Sequence, residues 1–417
     1  MFKHYKVIFI ILSLILINSG CTISSQVDSA PTKDQQVQQI VNSMSHDQKI
    51  DGLMMVPADY ALLHQDKNFG GVFWPGWQLK GKTFKQIQTA NLQLKNSTST
   101  PLIAIDQEGG LVDRLKFITD ISEHLDQGVE DFVLKYFEKV PGDGKVIVEL
   151  PSQDEIGRLY ASLSDEKKQE FLLDYQKLYV FGLAKTLDDA GFTVNFGPVA
   201  DLSPLDGSKT QLDREARVFG SNASNTQELL SAYARGFLDY QNGSGTRVMF
   251  TFKHFPGIGS AIGDTHQPGV IVNKNLNQLL ASDIMVYQPI LPTIPVIMFS
   301  QALYPSIDNQ HPAVGSMAIR NLLTEDLGYE GIIISDDITM GNLENLNDIA
   351  FACDMMLSVE NSMIPKNKTI NDRGSGQRTD IIQAMRDALD TLSDEELDIR
   401  INKVIKQKIS YPIQMVQ

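Results

Sequence analysis

The sequence is poor in cysteine and in positive charge. Its 417 residues include only two cysteines, Cys21 and Cys353, which are too few for a disulfide framework or a cysteine-ligated zinc site. Lys and Arg number 36 against 51 Asp and Glu, so the formal net charge is −15. This balance argues against the basic surface that nucleic-acid binding requires. Cys353 lies in an apolar run, and we expect a buried, unreactive thiol there.

Long apolar runs are also missing, and the one at 7–17 covers only 11 residues. That length is short for a membrane-spanning helix. Two lysines precede the run, and Ser19-Gly20-Cys21 follows it. A basic start, a short apolar segment and small residues at a cleavage site are typical of a secretory signal. We therefore predict a signal peptide over 1–20 and an exported protein.

A cysteine placed directly after small residues resembles the lipobox of bacterial lipoproteins. The resemblance implies that Cys21 carries lipid and that this anchor is the only contact with the membrane. The polar segment that follows, to residue 40, is predicted to be a flexible tether. Asn18 stands where an aliphatic residue is usual, so an ordinary cleaved signal with an incidental cysteine is the alternative. The expected location is the cell envelope, at the outer membrane and periplasm or at the cell surface.

Eight short, nearly continuous apolar runs alternate with amphipathic, helix-like stretches. Continuous rather than alternating apolar character is typical of parallel strands buried on both faces. The pattern predicts an α/β fold, a (β/α)8 TIM barrel, as one catalytic domain over 41–417. Helices are predicted at 167–190, ending at Gly191, at 226–242, ending at Gly243, and within 379–408. The predicted strands are 52–57, 72–75, 102–106, 192–201, 248–255, 295–300, 331–337 and 354–359.

Polar side chains cluster where the apolar runs stop. The residues concerned are Asp106, Asp201, Lys253 with His254, and Asp336 with Asp337. Barrel enzymes gather their active sites at the carboxyl ends of the strands, so these side chains are predicted to converge. The alternative for any one carboxylate is a cap on the following helix.

The segment 117–149 is predicted to be an insertion after the third strand. It carries a helical stripe of apolar residues, namely Leu125, Val129, Phe132, Val133, Tyr136 and Phe137. Such a helix either packs on the outside of the barrel or, because this connection leaves the catalytic face, forms a lid over the site.

Four motifs follow in order along the chain. They are 105–110 with Arg114 soon after, 195–201, 253–257 with 263–266, and 331–340. Together they resemble glycoside hydrolase family 3, in particular its single-barrel β-N-acetylglucosaminidases, over 41–359. The resemblance implies that Asp336 is the nucleophile, that His266 is the general acid/base, and that Asp264 is the partner of His266. The predicted sugar-binding residues are Asp106, Arg114, Asp201, Arg217, Lys253 and His254.

The resemblance implies a retaining exo-β-N-acetylglucosaminidase acting on an oligosaccharide, such as a peptidoglycan or chitin-type fragment. A carboxylate suits the nucleophile, and a histidine can donate the proton because it titrates near neutral pH. No metal and no cofactor are required. Three positions depart from the family pattern, namely Leu111, Ile258 and Gln301, and they put substrate preference in doubt.

Three alternatives stay open. A phosphorylase is one, because a histidine, unlike a carboxylate, does not repel an incoming phosphate. A β-glucosidase of the same family is another. The third is a non-catalytic, carbohydrate-binding envelope lipoprotein. A phosphate-binding metabolic barrel is disfavoured, because the last strands lack a glycine-rich phosphate loop. A monomer is expected.

Overall fold

The computed structural model describes residues 31–97, 100–137, 149–246, 248–263, 269–339, 345–357 and 377–409. The predicted signal peptide and Cys21 lie outside these residues. Ten strands are present in the described part of the chain. They are β1 (Met54–Pro57), β2 (Gly71–Trp74), β3 (Leu102–Ile105), β4 (Val194–Asn195), β5 (Met249–Phe255), β6 (Val296–Phe299), β7 (Leu303–Tyr304), β8 (Asp308–Pro312), β9 (Ile332–Ser335) and β10 (Met356–Leu357).

Eight of the strands form one parallel sheet in the order β10-β1-β2-β3-β4-β5-β6-β9. A parallel bridge between Ile334 and Met355 brings the two outer strands together. The Ser335 amide donates to the Met355 carbonyl at 3.1 Å. The sheet therefore closes into the predicted (β/α)8 barrel. Every residue of the eight barrel strands is buried, as expected for parallel strands covered on both faces.

Helices surround the barrel and connect its strands. The α-helices are α1 (Lys33–Ser43), α2 (His46–Gly52), α3 (Ala58–Leu63), α4 (Gly76–Leu79), α5 (Phe84–Lys95), α6 (Gln127–Phe137), α7 (Gln153–Ser162), α8 (Asp165–Asp174), α9 (Phe181–Asp189), α10 (Gln211–Arg214), α11 (Ala223–Ser244), α12 (Leu276–Ala281), α13 (Met317–Asn321), α14 (Leu346–Ala352), α15 (Gln377–Leu389) and α16 (Asp394–Ile409). Two π-helical turns extend them, Tyr175–Val180 and Leu322–Asp326. The described part of the chain also has four 3₁₀ turns, Leu115–Phe117, Ile121–Glu123, Gln288–Thr293 and Ala313–Gly315.

The predicted fourth strand is shorter than expected. After Asn195 the chain leaves regular pairing at a cis Gly197–Pro198 bond. Proline has no amide hydrogen to donate to a neighbouring strand. The chain returns to the sheet at a single bridge between Val199 and Lys253, which places Asp201 beside β5.

One helix end was predicted wrongly, and one antiparallel pair was not predicted. Helix α11 continues past Gly243 through Ser244 and ends at Gly245, whose φ of +70° favours glycine. Strands β7 and β8 form an antiparallel pair after β6. The sequence of β8 is polar and partly exposed, so it carries no apolar pattern that would predict a strand. Gly191, with a φ of +86°, follows α9 as predicted.

The described part of the insertion packs on the outer helical layer. In α6, Val129, Phe132 and Val133 are buried. The Phe132 ring lies 5.5 Å from that of Phe171 and 5.8 Å from that of Tyr175, between ring centroids. Residues 138–148 of the insertion lie outside the described part. In the described part of the chain, no helix is long and apolar enough to span a bilayer.

Candidate active site

A buried lysine joins the carboxyl ends of β3 and β5. The Lys253 ammonium lies 2.6 Å from Asp106 Oδ1 and 2.6 Å from Glu108 Oε1, and its side chain is 3% exposed. Burial by itself lowers the pKa of Lys253, but Asp106 and Glu108 beside it raise that pKa above its ordinary value. Lys253 is therefore a stable cation on the floor of the barrel mouth.

Glu108 also holds Arg217. The guanidinium donates from Nε to Oε2 at 2.8 Å and from Nη2 to Oε1 at 2.9 Å, the two-point geometry typical of strong pairs. Although burial raises the pKa of Glu108, Arg217 and Lys253 together hold that pKa well below its usual range. Arg217 also lies 3.2 Å from Glu215. The carboxylate of Glu108 is therefore ionised at neutral pH.

Arg114 reaches the same group of side chains from the loop after β3. Its Nη2 lies 3.5 Å from Asp106 Oδ2, and its backbone amide donates to Gln107 Oε1 at 2.8 Å. Among the residues that the structure describes, the buried Nε of Arg114 finds no acceptor. The guanidinium is therefore held mainly by Asp106, and the Arg114 side chain is 26% exposed.

Asp201 is buried behind His254. Its Oδ2 lies 2.8 Å from His254 Nδ1 and accepts the His254 backbone amide at 3.2 Å. Its Oδ1 accepts the Ile258 amide at 2.7 Å. Since Asp201 is fully buried and both oxygens are engaged, its contacts fit the orientation of His254 better than a sugar contact. The pairing assigns the Nδ1–H tautomer to His254.

Asp336 directly follows β9 and faces His254. Its Oδ2 lies 3.9 Å from His254 Nε2, and the side chain is 19% exposed. Its Oδ1 accepts the Asp337 backbone amide at 2.7 Å. The structure therefore brings Asp336 and His254 together, and His254 is adjacent to Lys253, which binds Asp106.

The predicted acid/base pair, Asp264 and His266, lies outside the described residues. The described chain on either side of it forms an antiparallel bridge between Ile262 and Ile271. The Ile262 amide donates to the Ile271 carbonyl at 3.0 Å. The described residues on the two sides of the pair therefore lie next to each other, shortly after β5.

The three residues that depart from the family pattern differ in how far they are buried. Leu111 is 60% exposed in the turn after Glu108. Ile258 is buried and anchors Asp201 through its backbone. Gln301 is buried after β6, and its Nε2 donates to the Asp337 carbonyl. Gln301 thus attaches to the backbone next to Asp336.

Two supporting residues had no predicted role. Glu108 lies inside the first motif, but its pairing with Arg217 joins residues 109 positions apart, which spacing does not reveal. Gln153 accepts the Val199 amide and donates to the Val199 carbonyl, both at 2.8 Å. It attaches α7 to the segment before Asp201. Among the described residues, no group of three or more His, Cys, Asp and Glu side chains forms a metal site.

Comparison with known families and curated proteins gave consistent matches. The profile of the glycosyl hydrolase family 3 N-terminal domain matches residues 168–407, more than half of the chain. A β-hexosaminidase of Stenotrophomonas maltophilia strain K279a is 26% identical over 259 residues, which cover 61% of this chain and 64% of that protein. The match therefore spans less than two thirds of the relative's own length.

Solved structures share the fold. LpqI of M. tuberculosis has a TM-score of 0.66 and 21% identity, with 89% of this chain and 96% of that chain covered. A family 3 β-N-acetylglucosaminidase from Paenibacillus sp. FPU-7 has a TM-score of 0.64 and 21% identity, with 88% of this chain and 62% of that chain covered. At this identity, the likeness shows the barrel fold.

Proposed function

Because the chain belongs to glycosyl hydrolase family 3, we propose that it is a retaining exo-β-N-acetylglucosaminidase acting on peptidoglycan or chitin-type fragments. The observation that carries the proposal is the partly exposed Asp336 carboxylate facing His254 at the carboxyl end of the barrel. The name of the S. maltophilia relative, β-hexosaminidase, supports the same activity. The Paenibacillus protein of the same fold is a β-N-acetylglucosaminidase, which supports it as well.

Asp336 is the nucleophile in this proposal. Its carboxylate attacks the anomeric carbon, and the glycosidic C–O bond breaks as the leaving oxygen takes a proton. Water then attacks the same carbon, loses a proton to the acid/base, and releases the Asp336 carboxylate. The sugar leaves with its original anomeric configuration, because each of the two displacements inverts it.

His266 supplies and recovers the proton in the proposed reaction, with Asp264 as its partner. Both assignments come from the resemblance of the 263–266 motif, because the two residues lie outside the described part of the chain. A histidine that exchanges a proton near neutral pH suits both steps. A carboxylate next to it favours the protonated ring that the first step needs.

Lys253 and Arg114 are the proposed donors to the sugar. Two of the three ammonium hydrogens of Lys253 go to Asp106 and Glu108. The remaining ammonium hydrogen of Lys253 is the one proposed to bind a sugar hydroxyl. The Arg114 side chain is 26% exposed beside Asp106, so its guanidinium is proposed to donate to a hydroxyl as well.

The test is release of 4-nitrophenolate by the chain that starts after Cys21. We expect it to cleave a 4-nitrophenyl β-N-acetylglucosaminide much faster than the matching β-glucoside. Asp336→Ala should lose that activity while keeping its fold by circular dichroism. Full activity in Asp336→Ala would overturn the assignment of the nucleophile.

Product analysis separates the remaining alternatives. With phosphate present, a phosphorylase releases N-acetylglucosamine 1-phosphate, whereas the proposed hydrolase releases free N-acetylglucosamine in either buffer. Faster cleavage of the β-glucoside would indicate a β-glucosidase. Binding of N-acetylglucosamine by wild-type protein that cleaves neither substrate would favour the carbohydrate-binding protein.

We also propose that Cys21 is lipidated and that the protein is anchored to the cell envelope. The support is the signal-like segment over 1–20 and the small residues before the cysteine. The test is incorporation of labelled palmitate by the full chain in a bacterial host, with Cys21→Ser beside it. Label in the wild type and none in the variant is the expected result. Equal label in both would overturn the proposal.

A further inference from the structure

We infer that Glu108 is a positioning residue, a buried anion that holds Arg217 and Lys253 as a fixed pair beneath the sugar. The inference rests on the proposed function, since it concerns the same site. The Glu108 side chain is 1% exposed, so it acts on the substrate only through the two cations that it binds.

One carboxylate serves both cations. Oε1 of Glu108 receives the Lys253 ammonium at 2.6 Å and Arg217 Nη2 at 2.9 Å, while Oε2 receives Arg217 Nε at 2.8 Å. The two-point contact fixes the plane of the guanidinium as well as its position. Each cation therefore has its direction set before a sugar arrives, which reduces the cost of ordering at binding.

Without Glu108 the two cations would oppose each other. Arg217 by itself lowers the pKa of Lys253, whereas Asp106 and Glu108 raise it. Lys253 also binds Asp106 at 2.6 Å, and Asp106 lies 3.5 Å from Arg114. Charges thus alternate from Arg217 to Arg114, and Glu108 is the buried anion near one end of this series.

The backbone around Glu108 is equally constrained. Its amide donates to the Val112 carbonyl at 2.9 Å, which closes a tight turn. Gly109 in that turn has a φ of +94°, and an added Cβ would lie 2.3 Å from the Pro151 carbonyl oxygen. The turn is therefore fixed against the segment that follows the insertion, and Glu108 has little freedom to move away from its two cations.

The principal test is Glu108→Gln, which keeps the shape but replaces one oxygen with an amino group facing a cation. We expect kcat/KM on the N-acetylglucosaminide to fall about 10- to 100-fold, with KM raised as well as kcat lowered. The pKa of the Lys253 ammonium should fall, because Lys253 loses one of its two anions. Unchanged kinetics and an unchanged Lys253 pKa would overturn the inference.

Two further variants separate the effect of the Glu108 charge from the effect of its position and from general effects on stability. Glu108→Asp keeps the charge but withdraws the carboxylate by one methylene, so it should restore the Lys253 pKa while kcat/KM stays low. Glu228→Gln removes a part-buried carboxylate from α11, where its partner is Tyr160, and should leave the kinetics unchanged. A merely structural Glu108 would lower thermal stability in Glu108→Gln without moving the Lys253 pKa of the folded enzyme.

A measurement that does not depend on turnover tests the inference even if the wild-type protein is inactive. An inactive wild type would refute only the proposed function. The Lys253 ammonium is titrated by NMR in ¹⁵N-lysine-labelled protein, with Lys253→Met to assign its signal. We expect a lower pKa in Glu108→Gln than in the wild type or Glu228→Gln. Equal values in all three would overturn the inference, whatever the enzyme assay gave.

Discussion

Asp201 Oδ2 lies 2.8 Å from His254 Nδ1, and the opposite nitrogen of the same ring lies 3.9 Å from Asp336 Oδ2. One imidazole thus connects a fully buried carboxylate with the proposed nucleophile. Because Asp201 accepts the Nδ1–H, Nε2 is the ring atom that faces Asp336. A sugar hydroxyl between Nε2 and Asp336 can donate to either, so the ring orientation matters for binding and for attack.

Asp201→Asn should therefore lower kcat/KM by about 100-fold or more, because an asparagine can present an amino group to Nδ1 and favour the wrong tautomer. Activity and ¹⁵N shifts of the His254 ring check this expectation. Asp239→Asn, which changes a carboxylate paired with Gln176 on the outer layer, is the control. Full activity in Asp201→Asn with an altered tautomer would show that the orientation of His254 is unimportant.

The barrel was predictable because its strands are buried on both faces, so that each strand forms an apolar run in the sequence. The side chains at the strand ends were predictable for a related reason, since parallel strands bring their carboxyl ends to one rim. The antiparallel pair β7–β8 was not, because the polar β8 segment (Asp308–Pro312) has no apolar alternation. The pairing of β8 with β7 depends on where the chain lies after it leaves β6.

The contacts between the site residues were harder to predict than the residues themselves. Asp106, Lys253 and Asp336 were predicted as site residues from their places near the ends of strands, but the roles of Glu108 and Asp201 depend on what each touches. Glu108 meets Arg217 across 109 positions, and Asp201 meets His254 across 53. Such distant pairings depend on how the loops after the strands fold, which spacing along the chain does not encode.

Stability should depend on Glu108 in a pH-dependent way. Its folded-state pKa is depressed by Arg217 and Lys253, so its contribution is fully present above the unfolded pKa, near 4.5, and is lost as the pH falls. Glu108→Gln should reduce the free energy of unfolding by about 3 kcal/mol at pH 7. Urea unfolding from pH 7 to pH 3 should show this difference shrinking below about pH 4.5. A difference that grows on acidification would contradict the assigned ionisation.

Cys353 should be unreactive in the folded protein. Burial raises the pKa of its thiol to about 12, and Sγ lies 3.5 Å from the Val314 carbonyl oxygen. The thiolate needed for attack is therefore scarce as well as inaccessible. Ellman's reagent at pH 8, with the chain that starts after Cys21, should give no thiol signal in buffer and one equivalent in urea. Rapid reaction in buffer would show that the barrel opens near β10.

The insertion at 117–149 allows a test of whether its helix α6 packs on the outside of the barrel or acts as a lid over the site. Phe132 is fully buried, with its ring centroid 5.5 Å from that of Phe171 and 5.2 Å from that of Tyr179. Phe132→Ala should therefore destabilise the fold by about 3–5 kcal/mol, measured by urea unfolding, while kcat and KM of the folded enzyme stay near wild type. Leu134→Ala, on the exposed side of the same helix, is the control and should change neither quantity much. If Phe132→Ala instead changed KM with little loss of stability, α6 would act on the substrate as a lid, because loss of an outer packing contact has no direct route to the sugar.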